Sequence, residues 1–259
     1  MWDWSGKKLG TGKPSGEKAI EILQVEKVTK NFGNLIALQD VDVVLRKGEI
    51  LGMIGPNGSG KTTLFNVISG IYTPASGEIR FQGRPITNHK PHMICRLGIA
   101  RTFQIVQPFG QMNLLENVLI GSMYGRGMPI EAGRNKAEEV LYFVGLKDKM
   151  YLTPNEVTTE DRRRLELARA LATEPQIILL DEIMAGLTPA EIEEALKLLH
   201  EVNKRGIAIF MVEHIMKAVM TISTRIIVLN YGQKIAEGSP KETAENPEVI
   251  KAYLGDRYV

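Results

Sequence analysis

The chain has 259 residues, of which 44% are hydrophobic and 24% charged, and its formal net charge is only +2. That balance fits one sizeable globular domain with a real core, and it argues against a basic, nucleic-acid-binding surface and hence against nucleic acid as a partner. A single cysteine, Cys95, excludes an internal disulfide, and no apolar run approaches the roughly 20 residues of a membrane-spanning helix. The opening Met1-Trp2-Asp3-Trp4-Ser5 lacks the apolar core of a secretory signal, so the expected compartment is the reducing cytosol. Any service to a membrane would then run through partners.

Residues 1–18 are rich in Lys, Gly and Ser without periodicity and are expected to form a flexible tail, leaving 19–259 as the folded domain. Alternation at Ile20, Ile22, Val25 and Val28 predicts a strand. A turn at Gly33-Asn34 and a second alternating stretch, 37–45, follow. Residues 49–54 form a short apolar strand that runs into a Gly-rich turn, with a helix from Lys61 to about Gly70. The segment 77–83 reads as a hairpin strand. From 91 to 173 the pattern is mainly helical, interrupted near 98–104 and near Pro154. Strand and helix then alternate: strand 177–181, helix 189–204, strand 207–212, helix 214–222, strand 225–229. Apolar strands alternating with amphipathic helices imply a parallel sheet covered on both faces. The methionines between Met112 and Met128 sit at helical spacing, which points to core packing before any docking role.

The run Gly55-Pro56-Asn57-Gly58-Ser59-Gly60-Lys61-Thr62, followed by Thr63, satisfies G-x-x-x-x-G-K-[ST] between a strand and a helix. Glycines let successive backbone N–H groups curl around a phosphate, and the helix N-terminus adds partial positive charge beneath it. Lys61 is expected to reach the β- and γ-phosphates of ATP, and Thr62 to offer its hydroxyl to Mg²⁺. The second half of the site is the strand Ile177-Ile178-Leu179-Leu180 followed by Asp181 and Glu182. At the carboxyl end of a parallel strand these acids face the ligand crevice. Asp181 is the candidate for Mg²⁺, and Glu182 for orienting or deprotonating the attacking water.

With these motifs in place, residues 20–256 resemble the nucleotide-binding subunits of ABC transporters. The resemblance implies an α/β fold with a P-loop NTPase core, an antiparallel β layer and an inserted helical subdomain at about 90–172. It also implies roles for three further residues. Phe32 would stack on adenine, Gln104 in Arg101-Thr102-Phe103-Gln104 would touch Mg²⁺ and the attacking water, and His214 in Met211-Val212-Glu213-His214 would contact the γ-phosphate. The Arg-Thr-Phe-Gln run, Met112 to Val118, Ala185-Gly186-Leu187-Thr188-Pro189 and the ending 246–255 look like the branched-chain amino-acid importer group, in particular its LivG-type ATPase subunit. Urea and amide importers share these features. Implied partners are a second ATPase subunit, two membrane permeases and, indirectly, an extracytoplasmic solute-binding protein, with this chain peripheral on the inner face of the membrane. Two rival readings are a non-catalytic ATP-sensing subunit and a soluble ABC ATPase outside transport.

One motif departs from the family pattern. Where the family carries Leu-Ser-Gly-Gly-Gln, this chain has Val157, Thr158, Thr159, Glu160 and Asp161. In the family this segment clamps the γ-phosphate of ATP bound to the opposite subunit. Here the glycines are gone, and two carboxylates would repel that anion. Read locally, the same five residues make a well-capped helix start. An asymmetric dimer is therefore expected, with this chain's own nucleotide site completed by a partner's intact signature.

Overall fold

The computed structural model describes residues 20–103 and 108–254. Strands β1 (Glu21–Phe32) and β2 (Leu35–Arg46) pair antiparallel from Phe32 opposite Leu35. Gly33 turns the chain between them with φ of 57°, a conformation that favours a residue without Cβ. The next strand is β3 (Ile50–Ile54), followed by helix α1 (Lys61–Ile68). Strand β4 (Ser76–Phe81) joins the free side of β1, and β5 (Arg84–Pro85) joins β4, so the first sheet runs β2-β1-β4-β5. This is the antiparallel layer expected from the first strands and the 77–83 hairpin.

Helix α2 (Pro91–Leu97) leads into a three-residue strand, β6 (Ile99–Arg101). Three helices follow, α3 (Leu114–Arg126), α4 (Ile130–Phe143) and α5 (Thr159–Leu171), with short 3-10 turns at Lys147–Lys149 and Pro154–Glu156 between the last two. The chain continues through β7 (Ile177–Asp181), α6 (Pro189–Lys204), β8 (Ala208–Val212), α7 (Met216–Ile222), β9 (Arg225–Asn230) and β10 (Gln233–Gly238). It ends in α8 (Pro240–Glu245) and α9 (Pro247–Leu254).

The second sheet has the order β10-β9-β3-β8-β7-β6, parallel throughout except for the β9–β10 edge pair. Every residue of β3, β7 and β8 is buried, as a parallel sheet covered on both faces requires. Alternate residues serve the two sides. Met53, Leu179 and Phe210 pack with α1 and the antiparallel layer, through Phe65, Leu38 and Val25. Ile178, Leu180 and Met211 pack with α3, α4 and α5, through Val118, Val140 and Leu165. Each fully buried side chain of this size stabilises the fold by about 1.5–3 kcal/mol.

The stretch 98–104, which the sequence shows only as a break in a helical region, supplies the edge strand β6, hydrogen-bonded to β7. Two apolar residues carry no readable period, so β6 owes its existence to its neighbour. Met123 packs against the core of the helical segment, as its spacing suggests. Among the described residues no helix is long and apolar enough to cross a membrane.

Candidate functional site

Strands β3, β8 and β7 lie side by side, and their carboxyl ends deliver the phosphate loop, His214 and the Asp181-Glu182 pair to one edge. The loop is shaped by contacts that exclude side chains. A Cβ on Gly55 would stand 2.1 Å from the Leu229 carbonyl oxygen, and one on Gly60 would stand 2.6 Å from that of Ala37. Pro56 is half-buried, Asn57 and Gly58 are exposed, and Ser59 is buried with an Oγ that has no hydrogen-bond partner. Helix α1 starts without a side-chain cap and without an acidic residue in its first turn. Its first N–H groups thus have no side-chain acceptor of the usual kind, the arrangement that receives a phosphate.

Lys61 opens α1 and is nearly buried, with Nζ donating to the Gly55 carbonyl at 2.8 Å and the Pro56 carbonyl at 3.0 Å. The ammonium thus lies across its own loop. Burial pushes its pKa down, while the carboxylates of Glu182 and Asp181 pull it back up. Thr62 is exposed and Thr63 half-buried on the same first turn.

Asp181 ends β7 and is 1% exposed. Its Oδ2 accepts from Arg101 Nη2 at 3.0 Å, and Arg101 Nη1 also donates to Asn66 Oδ1 at 2.7 Å and Ser69 Oγ at 2.9 Å. Burial pushes the Asp181 carboxyl up and Arg101 pulls it down. Oδ1 accepts no hydrogen bond, although it is buried. A buried carboxylate oxygen left unpaired beside an anion-binding loop suits a divalent cation that takes its remaining ligands from phosphate and water.

Glu182 adopts φ of 52°, a left-handed conformation rare outside glycine. Its Oε1 lies 2.8 Å from His214 Nε2. The two residues expected to act on the same phosphate are therefore already in contact. Phe32, at the end of β1, is 42% exposed and meets Tyr72 edge-on, with centroids 5.1 Å apart, while Lys30 Nζ sits 5.1 Å from its ring. Gln104 lies outside the described residues. The run that leads to it is anchored residue by residue: Arg101 on Asp181, Thr102 N–H on the Leu179 carbonyl at 3.0 Å, and Phe103 N–H on Glu166 Oε1 at 2.6 Å.

The segment in the signature position is a helix cap. Val157 precedes Thr158, whose Oγ1 accepts the Asp161 N–H at 3.1 Å, while the Asp161 carboxylate accepts the Thr158 N–H at 3.1 Å. Thr159 begins α5. Asp161 also accepts from Lys149 Nζ at 2.7 Å, and Glu160 accepts from Arg164 Nε at 2.8 Å. Lys149 and the Thr158 donors lower the Asp161 carboxyl despite burial. Two of the donors at this helix end are thus taken up within the segment itself.

Several site-side residues escape the sequence reading, among them Arg101, Tyr72, Glu166 and Glu213. Arg101 and Glu213 stand inside the two runs quoted for Gln104 and His214, and a charge in a near-apolar run was the available signal. Helix α9 is another contributor, since its Glu248, Lys251 and Ala252 line one cleft with Pro56, Asn57 and Ser59 of the phosphate loop.

Comparison with known proteins adds the following. Residues 38–185 match the ABC transporter family, and residues 233–259 match the branched-chain amino acid ATP-binding cassette transporter family. The high-affinity branched-chain amino acid transport ATP-binding protein BraF of Pseudomonas aeruginosa is 37% identical over 250 residues, covering 91% of this chain and 98% of its own. The corresponding LivG protein of Salmonella typhimurium is 38% identical with the same coverage. A crystal structure of a nucleotide-free ATP-binding cassette from an ABC transporter superposes with a TM-score of 0.84 at 33% identity, over 92% of this chain and all of that one. A dimeric post-hydrolysis cassette bound to ADP and Pi superposes with a TM-score of 0.76 at 28% identity, over 85% of this chain and 99% of that one.

Proposed function

We propose, from the premise that this chain belongs to the ATP-binding subunits of ABC transporters, that it powers import of branched-chain amino acids. The chain is an ATPase of that family with the family's mixed α/β architecture. The observation that carries the reading is the convergence of Lys61, Asp181, Glu182 and His214 at one sheet edge, with Glu182 and His214 in contact at 2.8 Å.

In this reading Lys61 leaves the loop carbonyls for the β- and γ-phosphates of ATP, and the loop residues 55–63 wrap them with backbone N–H groups. Thr62, Asp181 and Gln104 would hold Mg²⁺, whose charge would offset that of the phosphates. Glu182 orients the attacking water and accepts its proton. His214 holds the Glu182 carboxylate and meets the γ-phosphate. Phe32 offers its exposed ring to the adenine.

The capped start of α5 favours an asymmetric dimer. Two of its donors are taken by Asp161 and Thr158 and its first turn carries the acids Glu160 and Asp161, so this chain's contribution to a partner's site is weak, and the partner's signature completes the site built here. Two permeases would hold the pair at the inner face of the membrane, with a solute-binding protein outside. The branched-chain cargo is supported by the match of residues 233–259 and by the relatives' names, with urea or amides as the alternative cargo class. The test is to isolate the chain from its native membranes with its associated subunits and measure ATP hydrolysis with and without solute-loaded binding protein. Stimulation by leucine, isoleucine or valine supports the reading. Stimulation by urea or an amide alone, or recovery of soluble partners only, overturns it.

A further inference from the structure

We propose that Glu213 is a positioning residue for hydrolysis, fastening the backbone that carries Glu182 to the strand end that carries His214. The inference rests on the ATPase reading above.

Strands β7 and β8 end side by side, with Asp181 opposite Val212. Beyond the sheet the pairing continues as three contacts. The Glu182 N–H donates to the Val212 carbonyl at 2.9 Å, the Met184 N–H donates to Glu213 Oε1 at 2.9 Å, and Glu182 Oε1 meets His214 Nε2 at 2.8 Å. The outer two involve the acid–histidine pair directly. The middle one is made by a side chain with no access to the phosphate edge. Glu213 is 3% exposed, whereas the adjacent His214 side chain is 48% exposed.

The chemistry explains why a carboxylate stands there. Met184 is fully buried and lies past the end of β7, so its N–H has no ladder partner. A buried N–H without an acceptor is costly, and an apolar residue at 213 would leave it so. The turn it sits in also needs holding, because Glu182 occupies the left-handed region that non-glycine residues keep only when their surroundings enforce it. One residue further, the Ala185 carbonyl accepts from Arg163 Nη2 of α5 at 3.4 Å. The turn is therefore gripped from β8 by Glu213 and from α5 by Arg163, and the Glu182 carboxylate projects from the gripped segment. Burial and the nearby Glu182 carboxylate raise the Glu213 carboxyl to about 7, against lowering by the Met184 and His214 N–H groups and by Arg163. Either protonation state keeps an oxygen for the Met184 N–H.

Loss of the acceptor would free the turn and blur the placement of Glu182, while the phosphate loop keeps its own bond from the Gly232 N–H to the Ser59 carbonyl. The expected signature is a fall in kcat with little change in KM for ATP. Full-length wild type, E213Q and E213L are compared by amide hydrogen exchange and, within the assembled transporter, by ATP hydrolysis. E213Q retains a carbonyl acceptor and is expected to keep the Met184 amide protected and kcat within about threefold of wild type. E213L fills the space without an acceptor and is expected to expose that amide and lower kcat by about tenfold or more, with KM within about twofold. Wild-type behaviour of E213L in both measurements overturns the inference, and so does an E213Q as defective as E213L. If E213L does not fold, exchange in E213Q decides, with slow Met184 exchange supporting the clamp and fast exchange overturning it. An inactive wild-type complex would instead remove the ATPase reading.

Discussion

His214 Nε2 lies 2.8 Å from Glu182 Oε1, so the histidine and the acid at the ends of neighbouring strands form a contact pair. The left-handed turn at Glu182 brings its carboxylate to the histidine. A general base held in place by a second residue is spared the search for its working orientation.

Glu182→Gln should lower single-turnover ATP hydrolysis by about a hundredfold or more, since positioned general bases contribute on that scale. ATP affinity should survive, because the loop and Lys61 are untouched. Phosphate release and nucleotide binding by filter assay separate the two quantities. A variant that hydrolyses normally would remove Glu182 from the reaction.

Arg101→Ala should destabilise the fold by about 3–5 kcal/mol, because it strands the carboxylate of Asp181 without its cation. The Asp181 and Arg101 side chains are 1% and 6% exposed, so water cannot substitute. Urea unfolding of the single variant and of the Arg101→Met, Asp181→Asn double variant would read the coupling. Independent, additive effects would contradict it.

The raised carboxyl of Glu213 gives stability a pH dependence with a definite sign. Its pKa is about 7 in the fold, against 4.5 for an ordinary glutamate side chain. The folded state therefore holds a proton that the unfolded chain has released between those values. This stabilisation is complete below about pH 4.5, and it declines as pH rises towards about 7 by some 3 kcal/mol at most. Glu213→Gln should flatten that part of the unfolding curve, and an unchanged slope in denaturation between pH 5 and 8 would refute the assignment.

The signature position predicts asymmetry. An E182Q chain should remain monomeric in ATP by light scattering, while the same chain mixed with a partner ATPase carrying an intact signature should dimerise. Tight homodimerisation in ATP would count against the asymmetric assembly. Separately, Thr158→Ala should cost about 1 kcal/mol through loss of the cap on α5, measurable as a shift in the urea midpoint.

Much of the fold was legible because its strongest elements carry their own periodicity. Strand 177–181 and helix 189–204 are found at the bounds read from the sequence, and the phosphate loop sits between β3 and α1 as its motif requires. The short strand β6 was hidden, since three residues have no period and are held by β7. Helix α9 opens on a proline and runs only eight residues, too little for an amphipathic pattern to stand out. At the site, the strand-end acids singled out Asp181 and Glu182 and the family resemblance singled out His214, but neither said what holds them. Arg101 and Glu213 act through contacts between segments 80 and 29 residues apart. The acids at 160 and 161 were legible as a departure from the family pattern. That each is paired with a nearby base, Arg164 and Lys149, required the packed helices.

Glu248, Lys251 and Ala252 of the last helix line one cleft with Pro56, Asn57 and Ser59 of the nucleotide loop. Any change made to the tail end of the chain is therefore also a change made near ATP. Trimming α9, or crowding it with a purification handle, should be registered as altered nucleotide affinity, so handles belong at the other end.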